Sequence, residues 1–351
     1  MEERKSKKVE ENAEIIARAI SGNLSIIDQE RERKIVEKRF GLNGPKETLE
    51  TIGEALSVTR ERVRQLEKVI LVRLRIAAKE GNIPDLAAAE KIIIRNLAEL
   101  GRVARLSTLS ERLFGRPAKT SEKSALIFLA DVSPSLTVIT ENDRFFASIA
   151  IADFGDEREI KKKISEIVEL IKERNAPLSL DELDALLTYE HPSQISAVAS
   201  VSKQLATLNN LWGLAKWPTV NPKNIRDKIY VILENRGQPM HFTDIASAIA
   251  ESNFKRKNVT VQAIHNELIK DPRFVLIGRG IYALDSWGYK KGTVQEIIVE
   301  ALKNSDTPLS REEIVAEVMK SRKVKETTIL LNLQNRSLFE RVDKNAYRLK
   351  A

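Results

Sequence analysis

Thr48-Leu-Glu-Thr-Ile-Gly-Glu-Ala-Leu-Ser-Val-Thr-Arg-Glu-Arg-Val-Arg-Gln-Leu-Glu67 reads as two helices joined by a tight turn. Thr48 suits an N-cap, and Leu49, Ile52 and Leu56 share one face of a short helix ending near Leu56. Gly53 lacks a Cβ, so a second helix can come close there. Ser57 and Val58 form the turn, and Thr59 stands where the next helix needs its cap. In that helix Val63, Leu66, Ile70 and Leu74 recur at helical spacing as one buried stripe. Its other faces are basic. Arg60, Arg62, Arg64, Lys68, Arg73, Arg75 and Lys79 stand against Glu61 and Glu67, a local excess of five positive charges. Upstream, residues 11–40 are expected to be helical, with Ile15, Ile16, Ile20, Ile35, Val36 and Phe40 set among charges. Gly41-Leu-Asn-Gly-Pro45 stops that pattern.

Arg60, Glu61, Arg64 and Gln65 occupy the first two turns of the second helix and avoid its buried stripe. In helix-turn-helix proteins the amino end of such a helix enters the major groove. Arginine pairs bidentately with guanine, glutamine with adenine, and glutamate accepts from the cytosine amino group. The set therefore suits a base reader. The competing reading is an exposed helix held by pairs such as Glu61–Gln65 or Arg64–Lys68, and the second of these is repulsive.

Arg31-Glu-Arg-Lys-Ile-Val-Glu-Lys-Arg-Phe-Gly-Leu42 followed by the opening stretch resembles region 4 of the sigma-70 family of transcription initiation factors. The resemblance spans roughly residues 24–78, under a quarter of the chain. It implies binding to the promoter −35 element and docking on RNA polymerase. By position it assigns Arg60, Glu61, Arg64 and Gln65 to base reading and Arg31, Arg39, Thr48 and Leu49 to the DNA backbone. Two departures stand out. Ser57 replaces a common turn glycine, and Val69 and Val72 lie where the family has basic or small residues facing activators.

Downstream the sequence repeats. Pro177-Leu-Ser-Leu-Asp-Glu-Leu183, Pro239-Met-His-Phe-Thr-Asp-Ile245 and Pro308-Leu-Ser-Arg-Glu-Glu-Ile314 align as openings. Leu211-Trp-Gly-Leu214, Ile281-Tyr-Ala-Leu284 and Ala346-Tyr-Arg-Leu349 align as closings, with Trp217 and Trp287 three residues after the first two. The period of about 60–70 residues fits one small domain per copy rather than a solenoid. A fainter copy over 88–150 includes Ser107-Thr-Leu-Ser-Glu-Arg-Leu113 and Asp143-Arg-Phe-Phe146.

In the copy at 221–289 the expected order is a helix over Ile225–Glu234, a second from Thr243, and a third capped by Thr260. Val261, Ile264 and Leu268 would form the apolar face of that third helix. Phe274-Val-Leu-Ile277, Gly278-Arg-Gly280 and Ile281-Tyr-Ala-Leu284 read as a hairpin. Three helices and a hairpin make a winged helix, in which Trp212, Tyr282 and Tyr347 of the three copies pack the wing rather than stack on bases. Pro272-Arg-Phe-Val-Leu-Ile-Gly-Arg-Gly-Ile-Tyr-Ala-Leu-Asp-Ser-Trp287 resembles the HARE-type winged helix. That family includes the amino-terminal domain of the RNA polymerase delta subunit and modules appended to chromatin and DNA-modifying proteins, which implies contact with DNA or with polymerase. Lys255-Arg-Lys257, and Lys320, Arg322, Lys323 and Lys325, lie where phosphates would be met. Solvated loops are the plainer alternative. The equivalent stretch Tyr189–Lys203 holds only Lys203, which suits a spacer or protein-contact module.

Composition narrows the function classes. The 351 residues are 42% apolar and 31% charged, with 5% aromatics, which favours many short helices over a large sandwich. A formal charge of +8 is compatible with nucleic acid. The absence of cysteine excludes disulfides, thiolate catalysis and cysteine-based metal sites. His191, His241 and His265 fall in no metal-ligand spacing, and no GxSxG, Walker loop or GxGxxG occurs, so neither an enzyme nor a cofactor is expected. No apolar run approaches the ~20 residues that cross a bilayer, and residues 1–14 lack the apolar core of a signal peptide. A cytoplasmic location is expected. Before residue 24 there is no Trp, Tyr or Phe, so an accessory factor that does not open promoters alone is expected.

The expected fold is mainly α with small β-hairpins: a helix-turn-helix module over 1–80, then three or four tandem winged helices. These are a degenerate copy at 88–150, copies at 158–220 and 290–351, and the HARE-type copy at 221–289. The expected partners are double-stranded DNA and core RNA polymerase, with no membrane and no small-molecule substrate. The alternative is a scaffold that tethers polymerase or DNA-modifying machinery through protein contacts.

Overall fold

The computed structural model describes residues 2–254, 256 and 258–350, with side chains described from Val9 onward; Lys255 and Lys257 lie outside the described residues. The fold is mainly helical with small antiparallel sheets, and the chain divides into two units, Met1–Ala215 and Lys216–Ala351.

The first unit begins with α1 (Glu2–Ser25), α2 (Glu30–Phe40), α3 (Leu49–Leu56) and α4 (Arg60–Lys79). A continuous helix over 11–40 is therefore not what forms. The chain breaks at 26–29, where Gln29 is extended at φ −82°, ψ 120° and Ile27 is 2% exposed. The reason is a change of partner. α1 buries Ile16 and Ala19 in one apolar cluster, and α2 adds Val36 to that cluster while burying Ile35 in a second, against Ile52 and Val63, which α1 does not reach.

Then come α5 (Leu86–Glu99), β1 (Val103–Arg105), α6 (Leu106–Phe114), α7 (Thr120–Val132), β2 (Leu136–Ile139) and β3 (Ser148–Ile151). Next are α8 (Glu157–Arg174), β4 (Leu178–Ser179), α9 (Leu180–Leu186), α10 (Pro192–Val201), β5 (Leu205–Leu208) and β6 (Leu211–Leu214). Both segments follow one order: helix, short strand, two helices, hairpin. The last strand is central in each sheet, with β3 between β1 and β2 and β6 between β4 and β5. α1 packs on α5, α6 and α7. A single apolar cluster joins Ile16, Val36, Ile70 and Leu74 to Leu97, Leu126 and Phe128, and so runs across the boundary expected near residue 80.

The segments 86–151 and 157–214 are joined through backbone. Phe146 N–H donates to Val201 O at 2.9 Å, and Lys203 N–H donates to Arg144 O at 2.8 Å. The Arg105 guanidinium donates to Ser200 O and lies 4.0 Å over the Phe146 ring. At Gly101, φ is +93° and an added Cβ would fall 2.5 Å from Ser193 O and 2.8 Å from the Ala197 Cβ. Gly101→Ala is therefore expected to destabilise this unit by about 1–3 kcal/mol from backbone strain, before the clash is counted. Chemical denaturation measures it, and an unchanged midpoint would contradict the close contact.

The second unit holds α11 (Ile225–Arg236), β7 (Met240–His241), α12 (Phe242–Glu251), α13 (Val261–Lys270), β8 (Phe274–Gly278) and β9 (Ile281–Leu284). It ends with α14 (Val294–Lys303), β10 (Leu309–Ser310), α15 (Arg311–Ser321), α16 (Glu326–Leu333), β11 (Phe339–Arg341) and β12 (Ala346–Leu349). The order is the same again, with β9 and β12 central in their sheets. The short opening strands are absent from the expected order. They pair with the aligned closings, Leu178 opposite Trp212, Met240 opposite Tyr282 and Leu309 opposite Tyr347. Trp212 and Tyr282 are 6% and 3% exposed, and Tyr347 packs half-buried on the last apolar cluster. Val261 departs from the expected apolar face: it is the first residue of α13 and is 42% exposed, while Ile264 and Leu268 are buried.

Candidate nucleic-acid interface

Local chemistry aims the amino end of α4 at solvent. Thr48 Oγ1 accepts from Thr51 N–H at 3.2 Å and starts α3. Ser57 closes α3 in the left-handed region at φ 54°. At Gly53 an added Cβ would lie 2.7 Å from Val58 O, so the close approach made there is the turn itself rather than a second helix. Thr59 Oγ1 accepts from Arg62 N–H at 3.2 Å and starts α4. Ile35, Ile52 and Val63, backed by Leu49, Leu56, Val58 and Leu66, hold α2, α3 and α4 together.

Arg60, Glu61, Arg64 and Gln65 are all exposed at this end. Glu61 accepts from Arg64 Nε at 2.8 Å and Nη2 at 2.7 Å, and Gln65 Nε2 reaches Glu61 Oε1 at 3.5 Å. Hydrogen bonding from the Arg64 guanidinium holds the Glu61 carboxyl below its ordinary range. Solvent-exposed pairs of this kind contribute little to stability, so exchanging them for base edges sacrifices little. Bidentate donors and acceptors thus stand together on the first two solvent-facing turns of the helix.

The other expected contacts are placed unevenly. Arg31 is exposed and donates to Leu56 O at 2.8 Å, beside the turn. Thr48 is exposed, and Leu49 is half-buried as the first residue of α3, whose leading N–H groups suit a phosphate. Arg39 is held inside the fold: its Nε lies 3.2 Å from both Glu67 carboxylate oxygens, and its Nη1 donates to Glu47 O at 3.0 Å. Arg256 is exposed, and its left-handed backbone offers its carbonyl to the largely buried Lys228 ammonium at 2.7 Å. Lys323 and Lys325 are exposed on the loop before α16. Arg322 is not available to phosphate. It is 8% exposed and donates to Leu276 O at 2.6 Å, and burial pushes its pKa down.

Sequence reasoning set Val69 and Val72 apart as departures but did not join them to Ile76 as one exposed strip of α4. Val69, Val72 and Ile76 are 55%, 45% and 52% exposed, an apolar strip on the solvent side of a basic helix. Their spacing was visible, yet the stripe of Val63, Leu66, Ile70 and Leu74 already accounted for one buried face.

Residues 29–75 match the family model of sigma-70, region 4. Curated relatives match over a similarly short stretch. The chain is 42% identical over 57 residues to the RNA polymerase sigma factor SigA4 of Synechococcus elongatus, covering 16% of this chain and 18% of that protein. It is 49% identical over 55 residues to the RNA polymerase sigma factor RpoD of Helicobacter pylori, covering 14% and 8%. The chain thus spans less than a fifth of the length of these relatives. Among solved structures, a crystal structure of a bacterial selenocysteine-specific elongation factor, EF-Sec, aligns over 73% of this chain and 37% of its own. Its identity is 15% and its TM-score 0.20, too low to carry an argument.

Proposed function

We propose that the chain is a sigma-related, DNA-binding transcription factor. In this reading α4 enters the major groove of a −35-like promoter element, and the chain acts with core RNA polymerase in initiation or its regulation. The observation that carries it is the exposed set Arg60, Glu61, Arg64 and Gln65 on a capped helix end, inside the segment matching sigma-70 region 4. Arg31, Thr48 and the amino end of α3 flank it as backbone contacts, and Arg39 orients α4 through Glu67. The four copies of one element order support winged helices at 88–150, 158–220, 221–289 and 290–351, the third of HARE type. Arg256, Lys323 and Lys325 are the phosphate contacts assigned there, with Lys255 and Lys257. Among the described residues no helix is long and apolar enough to cross a membrane. We assign a cytoplasmic protein without enzymatic activity or cofactor.

The test is selection of bound duplexes from a random pool, with and without core polymerase. One enriched short motif, relaxed at one or two positions when Arg64 becomes alanine, is the expected outcome. Recovery of the pool unchanged in both arms would overturn the reading.

One observation favours the second reading, a scaffold acting through protein contacts. α10 is packed against β1 and buries Gln194, Ile195, Ala197, Val198, Ala199 and Val201. A salt titration separates the two, because a phosphate-anchored binder loses affinity steeply as salt rises.

A further inference from the structure

We propose that the cleft between the segments 86–151 and 157–214 is a binding site for a small aromatic monocarboxylate, anchored by Arg105. The inference goes beyond the reading of α4 as a base reader and does not depend on it.

The cleft holds about 610 Å³, within the size range of small-molecule sites. Both segments wall it. The end of α5 and β1 supply Leu100, Val103 and Ala104 on one side, and α10 with the β5–β6 hairpin supplies Ala197, Ala206 and Trp212 on the other. Arg105 is the only cation among the described residues that line it. Its Nε donates to Ser200 O and its guanidinium lies 4.0 Å over the Phe146 ring, so the side chain is held in place. No carboxylate pairs with it, and its Nη groups meet no acceptor among the described residues. Burial without a counter-charge pushes its pKa down.

A guanidinium taken partly out of water is normally paired, because an opposite charge is what offsets its desolvation. Free Nη groups on a held, planar fork match a carboxylate bidentately. Packing of one segment on the other is the plainer use of this wall. That use accounts for Nε and the Phe146 contact, but it leaves the Nη groups unmatched and the cleft unfilled.

Charge counting selects the class of anion. Glu99 also lines the cleft, and its charge is already matched by Arg112 and by Arg95 at 3.7 Å. Lys203 lies 5.3 Å from the Phe146 ring, but Glu141 holds it at 2.7 Å. One unmatched positive charge suits a monocarboxylate better than a doubly charged phosphate. The apolar wall suits the body of such a molecule, and Trp212 adds aromatic surface to it. The Thr108, Ser196 and Thr207 hydroxyls also line the cleft, and none bonds to another described residue, which leaves polar points for a ring substituent. Because both segments contribute walls, an occupant braces their junction. Thermal unfolding should therefore shift upward as ligand concentration rises.

Binding is measured on the full chain by titration calorimetry with phenylpropionate, naphthoate and indoleacetate, each against its primary amide. Inorganic phosphate is the control anion. At least one acid should bind with a Kd below ~1 mM, and at least about tenfold tighter than its amide. Arg105→Gln should weaken that acid by roughly 10- to 150-fold, the value of a charge-assisted hydrogen bond, and leave the amide unchanged. Thr207→Trp, at an exposed position on the rim, should exclude acid and amide alike. Circular dichroism checks that both variants fold, and the Thr207 variant keeps the inference testable if loss of the Arg105–Ser200 bond loosens the junction. Acids that all bind more weakly than ~1 mM would leave the cleft without a ligand of this class. Equal binding of acid and amide would remove the guanidinium as anchor. Phosphate binding as tightly as the acids would make this a bare anion site. Acid binding unchanged in Arg105→Gln or in Thr207→Trp would place it elsewhere on the chain. Each of these results overturns the inference.

Discussion

Phe128→Ala is expected to destabilise the first unit by about 3–5 kcal/mol, the usual range for deleting a buried phenylalanine from a core. Phe128 is fully buried, and its ring meets Phe40 edge-to-face with centroids 5.0 Å apart. Phe40 ends α2, whereas Phe128 belongs to α7, so the contact ties the helix-turn-helix segment to the segment that follows it. Ile70 and Leu74 of the reader helix lie in the same apolar cluster. With total stabilities commonly ~5–15 kcal/mol, such a loss should be felt at α4 as well as at α7. Denaturation followed by circular dichroism, with duplex binding measured on the same samples, should therefore show both signals falling together. A loss below ~1 kcal/mol would contradict the packing, since deleting a fully buried phenylalanine costs about 3–5 kcal/mol. Binding that persists after the α5–α7 helices have melted would mean that residues 30–79 fold independently.

The helix-turn-helix was legible because every signal that builds it is local. Thr48 and Thr59 each cap the helix that starts at the next residue by accepting from an N–H three residues on, Ser57 needs only its own backbone conformation, and the stripe from Val63 to Leu74 lies within one helix. The repeats were legible for a related reason, since the closings are central strands and the openings are the strands that pair with them. What escaped depends on partners remote in sequence. Arg322 reads as one more exposed cation, but its partner is the carbonyl of Leu276, 46 positions earlier. Arg39 reads as a backbone contact, and Glu67, 28 positions on, holds it. The break at 26–29 follows from a second core, around Ile52 and Val63, that claims α2 but not α1, which no helical periodicity records.

The burial of α10 was half visible. Its lack of cations set it apart in the sequence, and its alanines and serines were compatible with any close contact. Gly101 is what makes the contact close, because its left-handed backbone places Ser193 O where a side chain would stand. Glycine there looks like an ordinary turn residue after a helix. Only the partner surface, some ninety residues downstream, gives it a second purpose.

Removing the side chains at the amino end of α4 should change which sequences bind, more than how tightly DNA as such is held. Arg60→Ala and Arg64→Ala should each reduce discrimination at one or two base pairs by roughly 5- to 150-fold, as expected when a bidentate pair with a base is removed. Neither residue lies on the buried stripe, and Arg64 is tied only to exposed Glu61, so the helix should persist in both variants. Glu61→Ala probes the pad differently. It frees the Arg64 guanidinium from its intramolecular acceptor, so a preference for cytosine opposite Glu61 should disappear while general affinity for phosphate rises. The salt slope should fall by less than ~0.9 in Arg64→Ala if that guanidinium meets a base rather than a phosphate. Competition binding over every single base-pair variant of the selected motif measures these changes. Specific losses confined to particular positions are the signature of reading. If each alanine weakens binding by the same factor on all sequences, and lowers the salt slope by that full amount, these side chains only neutralise the backbone and the sequence must be read elsewhere.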